Sequence, residues 1–318
     1  MSKLGEFERI AHISRLFASA SRRRIKVGIG DDAAVLRAGS GDWVWTVDSS
    51  VEDVHFRLDW LSQRDIGWRS FQAAASDLAA MGASPVGALS ALELPKSLSE
   101  SALRRLLEGQ QEAAKYLKCP IIGGNLSSGP VLAITTTVLG QSQNALLRST
   151  AAVGDQIWLV GEVGLARAGL LCLLSEHRDK YHGQAVEHCV ERWRRPEALL
   201  RRGRMLQGRA HAVIDISDGL VGDAEHISES SRVALAIDLQ ALEAALSPDL
   251  VEVAMLLRSS ALTLALQGGE DYALLATGPR EKRPRWAKVI GNVASGNGVW
   301  GVGRGKRRRL RRGFDHFS

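Results

Sequence analysis

The chain has 318 residues, 45% hydrophobic and 24% charged, which excludes a wholly disordered chain and leaves room for two domains of ordinary size. Its net charge of +6 is local: seven of its 41 basic residues lie between Arg304 and Arg312, and the remaining 34 stand against 35 acidic ones. No apolar run approaches the ~20 residues that span a bilayer, and Cys119, Cys172 and Cys189 fit neither a disulfide framework nor a zinc pattern.

In chain order, Met1-Ser-Lys-Leu-Gly-Glu-Phe-Glu8 has no apolar core, so the expectation is a protein without a secretory signal, acting in the cytoplasm. Phe7, Ile10, Ala11, Ser14 and Phe17 fall at helical spacing, with Gly28 closing that region. Trp43–Val47 reads as a strand, Ile66–Ala80 as a helix, and Gly87–Leu94 as a strand stopped by Pro95. Ser97-Leu-Ser-Glu100 spells a capping box, so a helix is expected from there to about Leu117. Leu132–Leu139 is a β-branched strand. Periodicity lapses over Ser142–Asp155, where a domain boundary is expected, giving segments 1–147 and 148–318. Beyond it come a strand Gln156–Val160, a helix near Leu165–Leu174 and an arginine-rich helix through Leu206. A strand Ala212–Asp215, a helix Leu220–Ser230 and strands near Tyr272–Ala276 and Ala287–Val293 complete an α/β (α+β) pattern.

Phosphate-binding signatures are scarce. There is no G-x-x-x-x-G-K-[ST] loop, and the protein-kinase motif set is missing. Gly296-Asn-Gly-Val-Trp-Gly301 fits G-x-G-x-x-G by letters but leads into a glycine- and arginine-rich tail instead of a helix, so it reads as a turn. The basic segment 304–312 holds one apolar residue, Leu310, and no aromatic to stack on bases. It is read as a solvated tail, against nucleic-acid binding.

Acids in apolar company carry the stronger signal. Asp31 and Asp32 follow Gly28-Ile-Gly, Asp48 ends Trp43-Val-Trp-Thr-Val, and Asp77 interrupts Ala73-Ala-Ala-Ser. Asp215 and Asp218 frame Ile214-Asp-Ile-Ser-Asp-Gly219, and Glu270 and Asp271 follow Gly268-Gly269. A buried carboxylate must be paired, hydrogen-bonded or metal-bound. Each acid alone could cap a helix or close a turn. Five such clusters beside glycines and strand ends favour a shared site for a hard cation, Mg²⁺ above all where phosphate is handled.

These residues carry a resemblance. Gly28-Ile-Gly-Asp-Asp-Ala33, Val54-His-Phe56, Ser76-Asp-Leu-Ala-Ala-Met-Gly82, Gly123-Gly124, Leu147-Arg-Ser149, Ile214–Gly219, Gly268-Gly-Glu-Asp-Tyr272 and Gly313-Phe-Asp-His-Phe317 together resemble the thiamine-monophosphate kinases. That family belongs to the aminoimidazole ribonucleotide synthetase superfamily. The resemblance implies its two-domain fold: an amino-terminal sheet domain that forms a homodimer and a larger carboxy-terminal α/β domain closing over it. It also implies ATP-dependent, Mg²⁺-dependent phosphorylation of thiamine monophosphate. Carried over position by position, it implies Asp32, Asp48, Asp77, Asp215 and Asp218 as metal ligands, with Thr46 and the Val47 carbonyl beside them. Asp32 and Asp218 are the expected catalytic residues. Gly124, Asn125, Arg148 and Ser217 would meet ATP, and His55, Glu270 and Phe314 the thiamine phosphate. Two positions depart from the family pattern. Gly123-Gly-Asn-Leu-Ser-Ser-Gly129 has Asn125 where the family has a metal-binding aspartate, and Thr46-Val-Asp48 replaces Thr-Thr-Asp. The competing readings are a superfamily member with a different acceptor and a non-catalytic nucleotide-binding paralogue.

Overall fold

The computed structural model describes residues 25–27, 31–37, 39–175, 178–303 and 305–311. The helix expected over 7–17, the turn at Gly28 and Phe314 lie outside these residues.

The first sheet contains β1 (Ile25–Val27), β2 (Ala34–Arg37), β3 (Asp42–Val51), β4 (Ser84–Leu94), β5 (Ile121–Ser128) and β6 (Ala133–Ser142), in the order β1-β2-β3-β6-β4-β5. Only the β4–β5 pair is parallel. Two helices accompany it, α1 (Gln63–Ala80) and α2 (Glu100–Leu117). The second sheet contains β7 (Gln156–Val160), β8 (Ala212–Ile216), β9 (Ala234–Asp238), β10 (Ala273–Gly278), β11 (Lys288–Ala294), β12 (Val299–Gly303) and β13 (Lys306–Arg309), in the order β13-β12-β9-β11-β7-β10-β8. Its helices are α3 (Leu165–Leu174), α4 (Gln184–Arg194), α5 (Leu200–Leu206), α6 (Leu220–Ser231), α7 (Leu239–Ala245), α8 (Pro248–Leu256) and α9 (Ala261–Gln267).

Helix α1 joins the two halves. Alanine, leucine and serine surround its middle, so no face is strongly polar, and a helix of that kind is driven inside. Phe71, Ala75 and Leu78 on α1 share one core cluster with Val44 and Val138 of the first sheet and Trp158, Val213 and Leu274 of the second. Asp77 rides on this helix and is therefore carried into the interior between the sheets. Strands β8 and β10 are buried along their whole length, and apart from Asp215 and Thr277 they are apolar or glycine because both faces pack into core clusters.

Three local expectations are corrected. The cap of α2 is Ser99, whose Oγ accepts from the Ala102 amide at 3.2 Å; Ser97 instead lies in a turn in which the Leu98 amide donates to the Pro95 carbonyl. The arginine-rich helix is two helices, α4 and α5, because Pro196 lacks the amide that would continue the first. The basic run is not a free tail: Lys306–Arg309 forms β13, paired antiparallel with β12 and exposed. Stacking of Arg307 on Trp300, 4.4 Å from the ring centroid, helps to hold it.

Helices α1 and α2 cross at backbone contact. A Cβ on Gly109 would fall onto the Arg64 carbonyl, and one on Gly67 onto the Leu106 carbonyl. No rotamer relieves a collision with backbone, so the helices would have to move apart. Gly109→Ala is expected to destabilise the protein by about 1–3 kcal/mol in urea unfolding, despite alanine's better helix propensity. Gly39→Ala, where no atom lies within 4 Å, should change stability by under about 0.5 kcal/mol. Equal effects of the two would refute the close crossing.

Candidate active site

Between the two halves lies a cavity of about 540 Å³. At one end it is lined by Asp48, Asp77, Asp215, Ser217 and Asp218, and at the other by Phe56, Trp60, Leu170, Leu174 and Trp193. Strand β3 supplies Asp48, and α1 supplies Asp77 one turn before its end. Asp215 sits near the end of β8, and Asp218 in the turn that opens α6.

These acids repel one another. Burial is the first cause that pushes up the carboxyl of Asp77, and the charges of Asp215 and Asp32 add to it. Burial likewise raises Asp32 well above the usual range, reinforced by Asp215 and Asp31. Asp215 is pushed up to about 6 by burial, with Asp218 and Asp48 contributing. The opposing contacts are few. Thr46 Oγ1 donates to Asp77 Oδ2, and Arg148 Nη1 to Asp32 Oδ1 at 3.4 Å. Asp32 Oδ2 is buried with no hydrogen-bond partner.

Oxygen is the only donor this group offers, and it carries more negative charge than its neighbours neutralise, which suits a hard divalent cation. Among the described residues no three His, Cys, Asp or Glu side chains close around one point. The arrangement is an open acidic floor, of the kind that holds Mg²⁺ partly through water and phosphate oxygens rather than in an all-protein cage.

The other expected residues divide into two groups. Ser217 lies beside Asp218 and accepts at its carbonyl from the Glu270 amide at 2.7 Å. His55 lines the cavity, with Nδ1 accepting from the Val51 amide at 3.1 Å, which leaves its proton on Nε2. Val47, next to Asp48, is exposed at 62% and also faces the cavity. Gly124 and Asn125 are elsewhere in the chain. They sit on edge strand β5, three strand positions from Asp48, since Asp48 is opposite Thr136, Thr136 opposite Ser90, and Ser90 opposite Gly124. That separation is roughly 14 Å. They line a different groove, of about 960 Å³, between β5 and α2.

Several residues at the site were not legible beforehand. Asp223 accepts from the amides of Asp218 and Gly219 at 3.2 and 3.1 Å, fixing the turn before α6. Its signal was an acid in the first turn of an apolar helix. Arg69, buried on α1, ion-pairs with Glu270 and donates to the Trp193 carbonyl. The Trp193 indole donates to the other Glu270 oxygen at 2.9 Å. Both oxygens of Glu270 are thus held, in a residue whose φ of 66° is itself unusual. Nothing in sequence links positions 69, 193 and 270. Asp271 turns away from the cavity and caps α3, accepting from the amides of Gly164 and Ala166 at 2.6 and 3.0 Å.

An acidic floor facing an aromatic wall is a site for a phosphorylated ligand with a flat ring system, and similarity to known proteins narrows this further. The family model "AIR synthase related protein, N-terminal domain" matches residues 30–142. Over 319 residues the chain is 33% identical to the thiamine-monophosphate kinase of Aquifex aeolicus, covering 100% of this chain and 99% of that protein. The chain belongs to the thiamine-monophosphate kinase family. The Bacillus subtilis thiamine-monophosphate kinase is 36% identical over 263 residues, covering 81% of this chain and 79% of its own length. A solved structure, AaThiL complexed with AMPPCP and TMP, superposes with a TM-score of 0.91 at 32% identity, covering 100% of this chain and 99% of the other. The chain has the aminoimidazole ribonucleotide synthetase-like fold, with the mixed α/β composition expected from sequence, here built on two sheets.

The acids imply a pH dependence of stability. Asp215 is raised to about 6 and Asp271, mainly by burial, to about 7, against ~3.9 when unfolded. Between these values the folded state binds protons that the unfolded state has lost, so stability is greatest at the acid end and falls as pH rises through 6 to 7. Urea unfolding without added metal should give a lower midpoint at pH 8 than at pH 5.5, and Asp215→Asn should flatten the fall. A profile that rises with pH would contradict the buried-acid geometry.

Proposed function

We propose that this protein transfers the γ-phosphoryl group of ATP to the phosphate of thiamine monophosphate, forming thiamine diphosphate. Asp48, Asp77, Asp215 and Asp218 at one end of a cavity whose other end is aromatic, with buried Asp32 close enough to raise the proton affinity of Asp77, carry this reading. Two phosphorylated molecules must meet there. The acceptor phosphate is mostly a dianion at neutral pH, since its second pKa lies near 6, so it needs no strong general base. The chain's task is to align the reacting oxygens and offset their repulsion. Bound Mg²⁺ would supply the charge neutralisation, held by the five aspartates with Thr46 and the Val47 carbonyl beside them. Within this reading Asp32 and Asp218 are catalytic, Arg148 and Ser217 face ATP, and His55 and Glu270 face the thiamine moiety, together with Phe314.

A homodimer formed through the first sheet belongs to the same proposal. Trp45, Val47, Val86, Leu89, Ile122 and Leu126 are exposed on that sheet, and every residue of edge strand β5 is exposed. An apolar, unpaired edge of this kind invites a second chain. Gly124 and Asn125 would then act near that interface. A cytoplasmic site of action fits three cysteines that are buried and free. Among the described residues no helix is long and apolar enough to cross a membrane.

Purified protein with ATP, Mg²⁺ and thiamine monophosphate should form thiamine diphosphate, and failure to do so overturns the proposal. Asp77→Asn and Asp218→Asn should each lower turnover by a factor of ~100 or more while remaining folded. Near-normal turnover of both variants at low Mg²⁺ would remove the acids from the chemistry. Asparagine at 125 can offer an oxygen but no charge. Within one chain Asn125 lies roughly 14 Å from Asp48, so it would reach the metal only across the proposed dimer. In that arrangement Asn125→Asp should lower the Mg²⁺ concentration needed for half-maximal rate, whereas an unchanged midpoint would place Asn125 away from the metal.

A further inference from the structure

Three arginines line the cavity among the described residues: Arg57, Arg69 and Arg167. Two are already engaged. Arg57 makes a bidentate pair with Asp59, both contacts at 2.9 Å, and Arg69 pairs with Glu270. Arg167 has no carboxylate partner among the described residues and is exposed on the cavity side of α3.

Its placement is specific. Residues 167, 170 and 174 are spaced to share one helical face, and all three line the cavity. Leu170 packs in the apolar cluster that contains Phe56 and Trp193, with Trp60 against it. Arg167 lies at the opposite, amino-terminal end, against the Gly268-Gly269 turn. A Cβ on Gly268 would come within 2.6 Å of the Arg167 Cβ, so glycine there makes room for the arginine stem. A Cβ on Gly269 would in turn strike the Ser217 carbonyl, so that turn abuts Ser217 and Asp218. One helix face therefore runs from a cation at the acidic end to leucines at the aromatic end. Seven residues of helix cover about 10 Å, comparable with the reach of thiamine monophosphate from its ring to its phosphorus.

The geometry points to Arg167 as the group that binds the phosphate of the acceptor, with the ring system lying along α3 toward Trp60 and Trp193. This rests on the kinase reading above. Two planar N–H donors on a phosphate dianion are a strong, directional contact, and they discriminate a phosphorylated ligand from its alcohol.

The test pairs a change in the protein with a change in the ligand. Binding of thiamine and of thiamine monophosphate is measured by calorimetry for the unaltered protein, Arg167→Gln and Arg167→Lys. Arg167→Gln should weaken thiamine monophosphate by about 10- to 100-fold and thiamine by less than about twofold, and Arg167→Lys should recover part of the loss. In steady-state assays the KM for thiamine monophosphate should rise while that for ATP stays unchanged. Equal weakening of both ligands, no weakening of either, or a rise confined to the KM for ATP would each overturn the assignment. Failure of the kinase reading is separately visible, because the unaltered protein would then form no thiamine diphosphate.

Discussion

Like charges gathered in a buried place are unstable unless the surrounding structure holds them there, and that constraint organises this molecule. Asp32, Asp77 and Asp215 each sit at raised proton affinity because burial and mutual repulsion act together. They stay because each is fixed on an element anchored elsewhere. Asp77 is on a helix packed on nearly every side, and Asp215 on a strand bonded to a neighbour and buried along its length. The apolar core shared by both sheets supplies the stability that the acids withhold. Removing charge from this site should leave a well-folded protein with less function, the pattern expected where stability and activity pull apart.

The same arrangement couples the joining of the two halves to the shaping of the cavity. Arg69 reaches from α1 to Glu270 beside the second sheet, and Trp193 from α4 closes the triangle by donating to the same carboxylate. The cavity exists only where these elements meet. Its polarity changes along its length because the acidic end gathers Asp48 of β3, Asp77 of α1, Asp215 of β8 and the Asp218 turn, whereas the aromatic end is built from the faces of α3 and α4 and the 53–60 loop. A ligand with a charged end and a flat apolar end has one orientation that matches both.

Much of the second half was legible because its elements are local and strongly patterned. Gln156–Val160 and Leu165–Leu174 have the bounds read from their residues, and Leu220–Ser231 differs by one position. β5 escaped notice because Ile121-Ile-Gly-Gly-Asn-Leu-Ser-Ser128 shows no alternation; its edge position leaves neither face to be covered by this chain. Ser97 and Ser99 compete for the same cap, and only the Pro95 turn decides between them. The basic strand β13 looked like a solvated tail because pairing with β12 is a backbone event that side-chain charge conceals.

By itself the sequence determined the α/β class, the family resemblance and the set of acids, since a carboxylate flanked by apolar residues and glycine stands out wherever the chain later folds. Which acids meet, and what opposes them, was decided by tertiary structure. Thr46 reaches Asp77, Asp223 ties down the Asp218 turn, and Arg69 holds Glu270 across 201 positions of sequence. Gly124 and Asn125 belong to the same sequence signature, yet within one chain they lie on another strand and in another groove. The physical reason is common to all of these. Burial and charge are local properties that composition exposes, while distance and direction arise only when separate elements pack.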